Sequence, residues 1–117
     1  MGEVRVRAAR GAIHVDEDTV SSLLSATERL LAQLLERNEV AAEDIVSAFF
    51  TVTDDLRSAF PAEAARRMGL GRVPLLCAQE IPVEGSMRGV IRVLLQFHTP
   101  RGPAEVKHVY LDGAETL

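Results

Sequence analysis

The sequence contains one cysteine, no tryptophan and few aromatic residues of any kind. A single cysteine excludes an intramolecular disulfide, and no cysteine or histidine cluster has the spacing of a zinc site. A chain without disulfides is typical of the reducing cytoplasm, and we expect this protein to be cytoplasmic. The hydrophobic share of 47% is mostly aliphatic, so leucine, valine, isoleucine and alanine are expected to form the core.

Long apolar runs and basic blocks are also missing. No stretch reaches the roughly 20 apolar residues that cross a bilayer, and the first residues do not resemble a signal peptide. Thirteen basic residues stand against seventeen acidic ones, for a net charge of −4, and the basic residues are not interleaved with aromatics. Neither a membrane nor a nucleic-acid partner is therefore expected. No metal-ligand or nucleotide-binding motif occurs, so no metal and no cofactor are expected.

One long helix is the clearest predicted element. Apolar side chains recur three and four positions apart over residues 20–35, while polar residues take the opposite face. An acid among residues 16–18 is expected to cap the start of this helix, and Asn38 its end. With 117 residues, the chain is expected to form one domain, residues 1–117.

The remaining segments predict a β-sheet. Alternating apolar and polar or small residues indicate strands, and prolines mark one segment as an edge strand or irregular; these segments are 4–15, 46–53, 73–83, 90–99 and 104–111. A short helix is predicted after Pro61, over residues 62–68. Gly11, inside the first strand, marks a bulge or a close backbone approach. The order β-α-β-α-β-β-β predicts an α+β domain with one helix-covered sheet face, and self-association is the simplest cover for the other.

An arginine inside an apolar strand is the main functional signal. Strand alternation puts Arg92 on the opposite face from Ile91 and Val93. A charge in such a strand is costly unless a partner meets it. Two interpretations stay open: a structural ion pair, for which Glu80 is a candidate, or a cationic donor aimed into a cavity that receives an anion.

Four other residues are weaker candidates. Arg10 lies among small residues that allow a ligand or another chain to approach. Tyr110 is the only tyrosine and is ordinarily a core residue, and Arg66 is ordinarily a solvated helix charge. Cys77 has no neighbouring histidine or asparagine that would activate a thiolate, so it is interpreted as a pocket-lining residue and not as a nucleophile.

Seven short segments occur in one order along the chain: residues 7–12 (RAARGA), 51–56 (TVTDDL), 59–62 (AFPA), 73–75 (VPL), 77–80 (CAQE), 91–93 (IRV) and 107–111 (KHVYL). Together they resemble the AroH-class chorismate mutases over nearly the whole chain. The resemblance implies an isomerase of aromatic amino acid biosynthesis that rearranges chorismate to prephenate without a cofactor. It also implies a homotrimer in which mixed sheets, each packed with one long helix, form a pseudo-α/β-barrel with active sites between subunits.

The resemblance implies roles for the polar candidates. Arg92 would stabilise the negative charge on the ether oxygen in the transition state, and Glu80 would accept a hydrogen bond from the ring hydroxyl. Arg10 and Tyr110, helped by Arg66, would hold a substrate carboxylate. Because the reaction is a unimolecular rearrangement, no base, nucleophile or metal is needed.

The apolar walls of the implied site would be Phe60, Leu75 and Cys77. The resemblance further implies that each site draws on two chains. One chain would supply Arg10, Cys77, Glu80, Arg92 and Tyr110. Its neighbour would supply Phe60, Leu75 and Arg66.

Two departures from the family pattern affect the expected binding. Glu63 stands where some members have a lysine, so one cationic contact to the substrate is in doubt. Few residues follow Tyr110, so a tail that helps to cover the site is expected to be short, which should weaken substrate binding more than chemistry. Two other functions remain open: an imine deaminase resembling the RidA family, and a trimeric metabolite-binding or regulatory module.

Overall fold

One mixed five-stranded sheet and two helices make up the computed structural model, which describes residues 2–117. The strands are β1 (Arg5–His14), β2 (Ile45–Val52), β3 (Leu75–Gln79), β4 (Val90–Thr99) and β5 (Val109–Leu111), and the helices are α1 (Val20–Arg37) and α2 (Ala62–Arg67). Across the sheet the order is β3-β2-β4-β1-β5. The central strand β4 runs antiparallel to β1 and β2, whereas β3 is parallel to β2 and β5 to β1. The predicted α+β class and element order are confirmed.

Helix α1 covers one face of the sheet because its apolar residues form a single stripe. Leu23, Leu30 and Leu34 on this stripe are fully buried. The helix lies close to β1 at Gly11, where an added Cβ would stand 2.9 Å from the Cδ1 atom of Leu34. The predicted close approach at Gly11 is confirmed and is made by α1. The pairing of β1 with β4 is continuous, so this glycine does not mark a bulge.

The start of α1 differs from the prediction. Thr19 is the N-cap, and its Oγ1 accepts a hydrogen bond from the N–H of Ser22 at 3.1 Å. The prediction of an acidic cap among residues 16–18 was wrong because Asp18, the nearest acid, accepts hydrogen bonds from the backbone of residues 57–58 instead. A hydroxyl and a carboxylate are both good caps, and tertiary contacts decided between them.

The end of α1 follows the prediction, with Asn38 as the C-cap. The buried Asn38 side chain also reaches the segment that precedes β5: its Nδ2 donates to the carbonyl of Lys107 at 2.9 Å, and its Oδ1 accepts from the N–H of Lys107 at 2.8 Å. These two hydrogen bonds fix the chain just before the strand that carries Tyr110.

The last strand is shorter than the predicted 104–111. A 3-10 turn occupies Pro103–Glu105 and is closed by a hydrogen bond from the N–H of Gly102 to the Glu105 carboxylate at 2.9 Å. Pairing with β1 then begins only at Val109. The local turn therefore replaces the first part of the predicted strand.

The sheet face opposite α1 is open in the single chain. It exposes large apolar side chains of three adjacent strands, β3, β2 and β4, with Leu76 63%, Phe49 42% and Leu94 41% accessible. This is the uncovered face that the sequence predicts. Among residues 2–117, no helix has both the length and the apolar character to cross a membrane.

Candidate active site

A cavity of about 340 Å³ lies on the open face, above the central strands. Its lining combines two arginines, two hydroxyl groups and an apolar floor: Arg10, Gly11, Ala12, Phe49, Thr51, Arg92, Val93, Leu94, Tyr110 and Leu117. Three of the predicted site residues, Arg10, Arg92 and Tyr110, therefore meet at one place. They lie on three different strands, and the sheet brings them together.

Strand register explains this convergence. Ala12 of β1 pairs with Arg92 on one side and with Tyr110 on the other. Arg10, two residues earlier in β1, takes the same face. Side chains that are directly opposite each other on paired strands lie about 5 Å apart. The small side chain of Ala12 leaves the space between the larger ones open.

Arg92 has both a protein partner and access to the cavity. Its Nε lies 3.4 Å from Oε1 of Glu80, and its side chain is 48% exposed. The same oxygen of Glu80 accepts a 2.7 Å hydrogen bond from the Thr51 hydroxyl. No hydrogen bond within residues 2–117 uses the terminal guanidinium nitrogens of Arg92. The two interpretations left open by the sequence are therefore compatible, because Nε faces Glu80 while four N–H donors remain available.

The other two polar groups at the cavity have unused hydrogen-bonding capacity. In the part of the chain that the structure describes, no residue forms a hydrogen bond or ion pair with the guanidinium of Arg10 or a hydrogen bond with the Tyr110 hydroxyl. The backbone of Arg10 is held in place, since its N–H donates to Nδ1 of His108 at 2.9 Å. A fixed backbone with a free cationic side chain is suited to binding an anion.

A second concavity, of about 400 Å³, lies at the β3 edge of the sheet. Its lining includes Phe60, which is 74% exposed, and Cys77. Cys77 pairs with the buried Phe50 of β2 and so takes the face opposite to Thr51 and Arg92. Within one chain Cys77 therefore lies beside Phe60 and on the opposite face of the sheet from Arg10 and Arg92, with which the family resemblance groups it. The reason is that Cys77 pairs with Phe50, one residue before Thr51, and successive residues of a strand point to opposite faces of the sheet.

Arg66 and Leu75 do not line the 340 Å³ cavity either. Arg66 pairs with Glu63, one helical turn earlier, at 3.2 Å, and both side chains are about half exposed. Leu75 is half-buried against the core. Glu63, the departure from the family pattern, thus lies beside Arg66, one of the two arginines of α2. Exposed pairs of this kind are weak, so Arg66 can exchange Glu63 for another anion.

Comparison with known proteins decides the family. A family model described as "Chorismate mutase type I" matches residues 6–117. The chain belongs to the chorismate mutase type I family. A chorismate mutase AroH from Thermus thermophilus is 51% identical over 113 residues, covering 96% of this chain and 93% of that protein. A chorismate mutase AroH from Bacillus subtilis (strain 168) is 37% identical, covering 96% and 89%.

Solved structures agree with the chorismate mutase assignment. A chorismate mutase from Clostridium thermocellum superimposes with a TM-score of 0.93 at 43% identity, covering 95% of this chain and 99% of that one. The resemblance found in the sequence, the isomerase class and the link to aromatic amino acid biosynthesis are therefore confirmed. The alternatives of an imine deaminase and a binding module are not supported by any of these matches.

Several cavity residues of this chorismate mutase were not identified from the sequence. Phe49, Thr51, Leu94 and Leu117 also line the cavity. Strand alternation in β2 could have identified Phe49 and Thr51, because they share a face and flank the buried Phe50. No local signal indicates that this face of β2 adjoins Arg92, since that depends on which strands pair.

Asp18 holds the loop that carries Phe60. Its carboxylate accepts hydrogen bonds from the N–H groups of Arg57 and Ser58, each at 3.0 Å. The backbone hydrogen bond from Arg57, followed by contributions of Ser58, keeps the pKa of Asp18 below its ordinary value of 3.8. The loop lining the second concavity is therefore tied to the start of α1 by one ionised side chain.

Asp18→Ala is expected to lower the melting temperature by a few degrees at neutral pH and to weaken its dependence on acid. Because the folded pKa is lowered, the carboxylate contributes stability above about pH 4 that is lost as the pH falls through the folded value. Thermal unfolding followed by circular dichroism over a pH series measures both effects. Asp16→Ala is the matched control, since that side chain is 94% exposed and contacts His14 at 3.6 Å. An equal decrease in melting temperature in the two variants would contradict the role of Asp18 in holding the loop.

Proposed function

We propose that this chorismate mutase converts chorismate to prephenate in the 340 Å³ cavity, by electrostatic stabilisation and selection of the reactive conformer. The observation that carries the proposal is the meeting of Arg10, Arg92 and Tyr110 around one apolar-floored cavity. The substrate carries two carboxylates and reacts without proton transfer, so fixed cationic donors and shape are the chemistry that it requires. No step calls for a metal or a cofactor.

Arg92 is proposed as the donor to the ether oxygen. In the transition state the ether C–O bond lengthens and negative charge builds on its oxygen. The Nε of Arg92 lies 3.4 Å from Oε1 of Glu80, and the planar terminal nitrogens are proposed to meet this charge. Glu80 in turn accepts a hydrogen bond from the ring hydroxyl and balances the positive character of the ring.

Arg10 and Tyr110 are proposed to hold one substrate carboxylate. Both have donors without partners in the described chain. Tyr110 lies across Ala12 from Arg92, and Arg10 lies two residues before Ala12 on β1. Binding this carboxylate while Arg92 binds the ether oxygen selects the folded conformer of the substrate, in which the two reacting carbons lie close together. This selection lowers the entropic part of the barrier. Arg66 of a neighbouring chain assists once it leaves Glu63.

The active enzyme is proposed to be a homotrimer with its sites between subunits, working in the cytoplasm. The open face exposes the large apolar side chains of Phe49, Leu76 and Leu94, and large exposed apolar patches mark interaction surfaces. Phe60, at the far edge of the sheet, is 74% exposed and is free to line a site of another chain. Three sheets packed edge to face would give the pseudo-barrel, and each cavity would receive the Phe60 and Cys77 edge of its neighbour.

An absorbance assay tests the proposed function. Purified protein is mixed with chorismate, the loss of its ultraviolet absorbance is followed, and prephenate is identified by chromatography. Turnover with prephenate as the sole product supports the proposal. Binding without turnover would indicate a binding module, and activity on imino acids alone would indicate a deaminase. Light scattering measures the mass, and a stable monomer with full activity would reject the interface site.

Mixing two inactive variants tests whether each site draws on two chains. Arg92→Ala removes the donor that one chain contributes to a site. Phe60→Asp places a negative charge, which repels the anionic substrate, in the part of the site that the other chain contributes. Co-refolded at equal amounts, about a quarter of the sites in random trimers would pair an intact Arg92 with an intact Phe60 from the other chain. Activity is therefore expected to return to about a quarter of the wild-type level. Each variant refolded alone is the control, and a mixture as inactive as these would contradict a two-chain site.

A further inference from the structure

The hydroxyl of Thr51 makes the shortest polar contact at the cavity. Thr51 lies on β2, half-buried, and donates to Oε1 of Glu80 at 2.7 Å. In the sheet it pairs with Arg92 of β4 on one side and with Ala78 of β3 on the other. Thr51 thus lies between β4, which carries Arg92, and the end of β3, and Glu80 is the first residue after β3.

The hydrogen bond and the closest ion-pair approach of the Glu80 carboxylate both use Oε1. Oε1 receives the Thr51 hydroxyl at 2.7 Å and lies 3.4 Å from Nε of Arg92. Among residues 2–117 no donor is hydrogen-bonded to Oε2. The backbone of Glu80 is fixed as well, because its N–H donates to the carbonyl of Val52 at 2.8 Å. The carboxylate is therefore held by one oxygen, and the other oxygen is left to a ligand.

We propose that Thr51 is a positioning residue that prevents Glu80 and Arg92 from forming a bidentate ion pair. A carboxylate and a guanidinium in contact prefer two parallel hydrogen bonds. Such a pair would use both oxygens of Glu80 and two of the nitrogens of Arg92. The hydroxyl of Thr51 holds Oε1 away from that geometry, so Oε2 and the terminal N–H groups stay available to substrate. This inference rests on the proposed function of Glu80 and Arg92.

Thr51→Val tests the positioning role, since valine keeps the shape and β-branching and removes the hydroxyl. We expect kcat to fall about 10-fold, the scale of one hydrogen bond to a charged group, with a smaller change in KM. Thr51→Ser restores a hydroxyl and is expected to recover most of the loss. Ser47→Ala is the matched control: it lies on the same face of β2 and loses a 2.6 Å hydrogen bond to Gln96. Equal losses in Thr51→Val and Ser47→Ala would overturn the proposal.

A double-mutant comparison separates action through Glu80 from a general effect on the sheet. In a Glu80→Ala background Thr51→Val is expected to change kcat less than 2-fold, because the group that it positions is gone. A further 10-fold loss in that background would overturn the proposal.

A crystal structure of Thr51→Val distinguishes this inference from the proposed function. We expect both Glu80 oxygens to contact the Arg92 guanidinium in the variant. A Glu80 carboxylate that keeps its wild-type orientation would reject the positioning role, whatever the activity. A wild-type protein that fails to convert chorismate would instead reject the proposed function, and the crystallographic comparison would still decide the role of Thr51.

Discussion

Replacing Arg92 with lysine is expected to lower kcat by about 100- to 1000-fold while the fold and the oligomer stay intact. Lysine keeps the charge but presents a single ammonium group in place of a planar fork. It can meet either Glu80 or the ether oxygen, whereas arginine meets Glu80 through Nε and leaves its terminal nitrogens free. Losing one preorganised donor to a developing oxyanion costs about 3–4 kcal/mol of transition-state stabilisation.

Steady-state kinetics with chorismate measure this effect, and circular dichroism with light scattering verifies the fold and mass. Arg5→Lys is the matched control: it is also an exposed arginine of the sheet, paired with Glu3 at 3.0 Å and lying outside the cavity. It should retain wild-type kcat. Near-normal turnover in Arg92→Lys would remove Arg92 from the centre of the mechanism, and Arg10 would become the main candidate.

Replacing Glu80 with glutamine is expected to lower kcat by about 10- to 100-fold with little change in stability. The amide retains the size of the side chain but loses the negative charge that balances the ring in the transition state. Its contribution to folding should be small, since the Glu80 side chain is 32% exposed and its Arg92 partner 48%. Ion pairs exposed to this degree contribute little to the free energy of unfolding.

Parallel measurements of kcat and of chemical unfolding separate the two roles of Glu80. Glu39→Gln is the control, because Glu39 forms a 3.0 Å ion pair with Arg101 and neither residue lines the cavity. A structural Glu80 would produce the opposite pattern, with a lowered free energy of unfolding and normal turnover per folded molecule. That result would leave Arg92 as the only charged group acting on the reacting atoms.

Local patterns predict most of the fold. The leucine stripe of α1 and the alternation in β4 each extend over at least ten residues. A periodic pattern that continues over so many residues identifies the type of element reliably. The two wrong predictions, the acidic cap of α1 and the early start of β5, fall at element ends. There the alternatives are close in energy, and contacts such as Asp18 with residues 57–58 decide between them.

The candidate site was predicted in part. Arg10, Arg92 and Tyr110 could be singled out as a charge in an apolar strand, a charge among small residues and a lone tyrosine, and the family resemblance gave them roles. The resemblance implies that Cys77 comes from the same chain as these residues, and within one chain strand register places it beside Phe60. Thr51 was overlooked, because a threonine in a strand is ordinary until its neighbour is known.

The amino-acid sequence by itself determined which face of its own element each residue takes, since a strand repeats every two residues and a helix every 3.6. It also determined membership of the chorismate mutases, through segments spread over the chain. Only the tertiary structure decided that Arg92 lies between Ala12 and Thr51, with Glu80 beside it. These partners are far apart in sequence, and their pairing depends on how α1 and the five strands bury their apolar faces together.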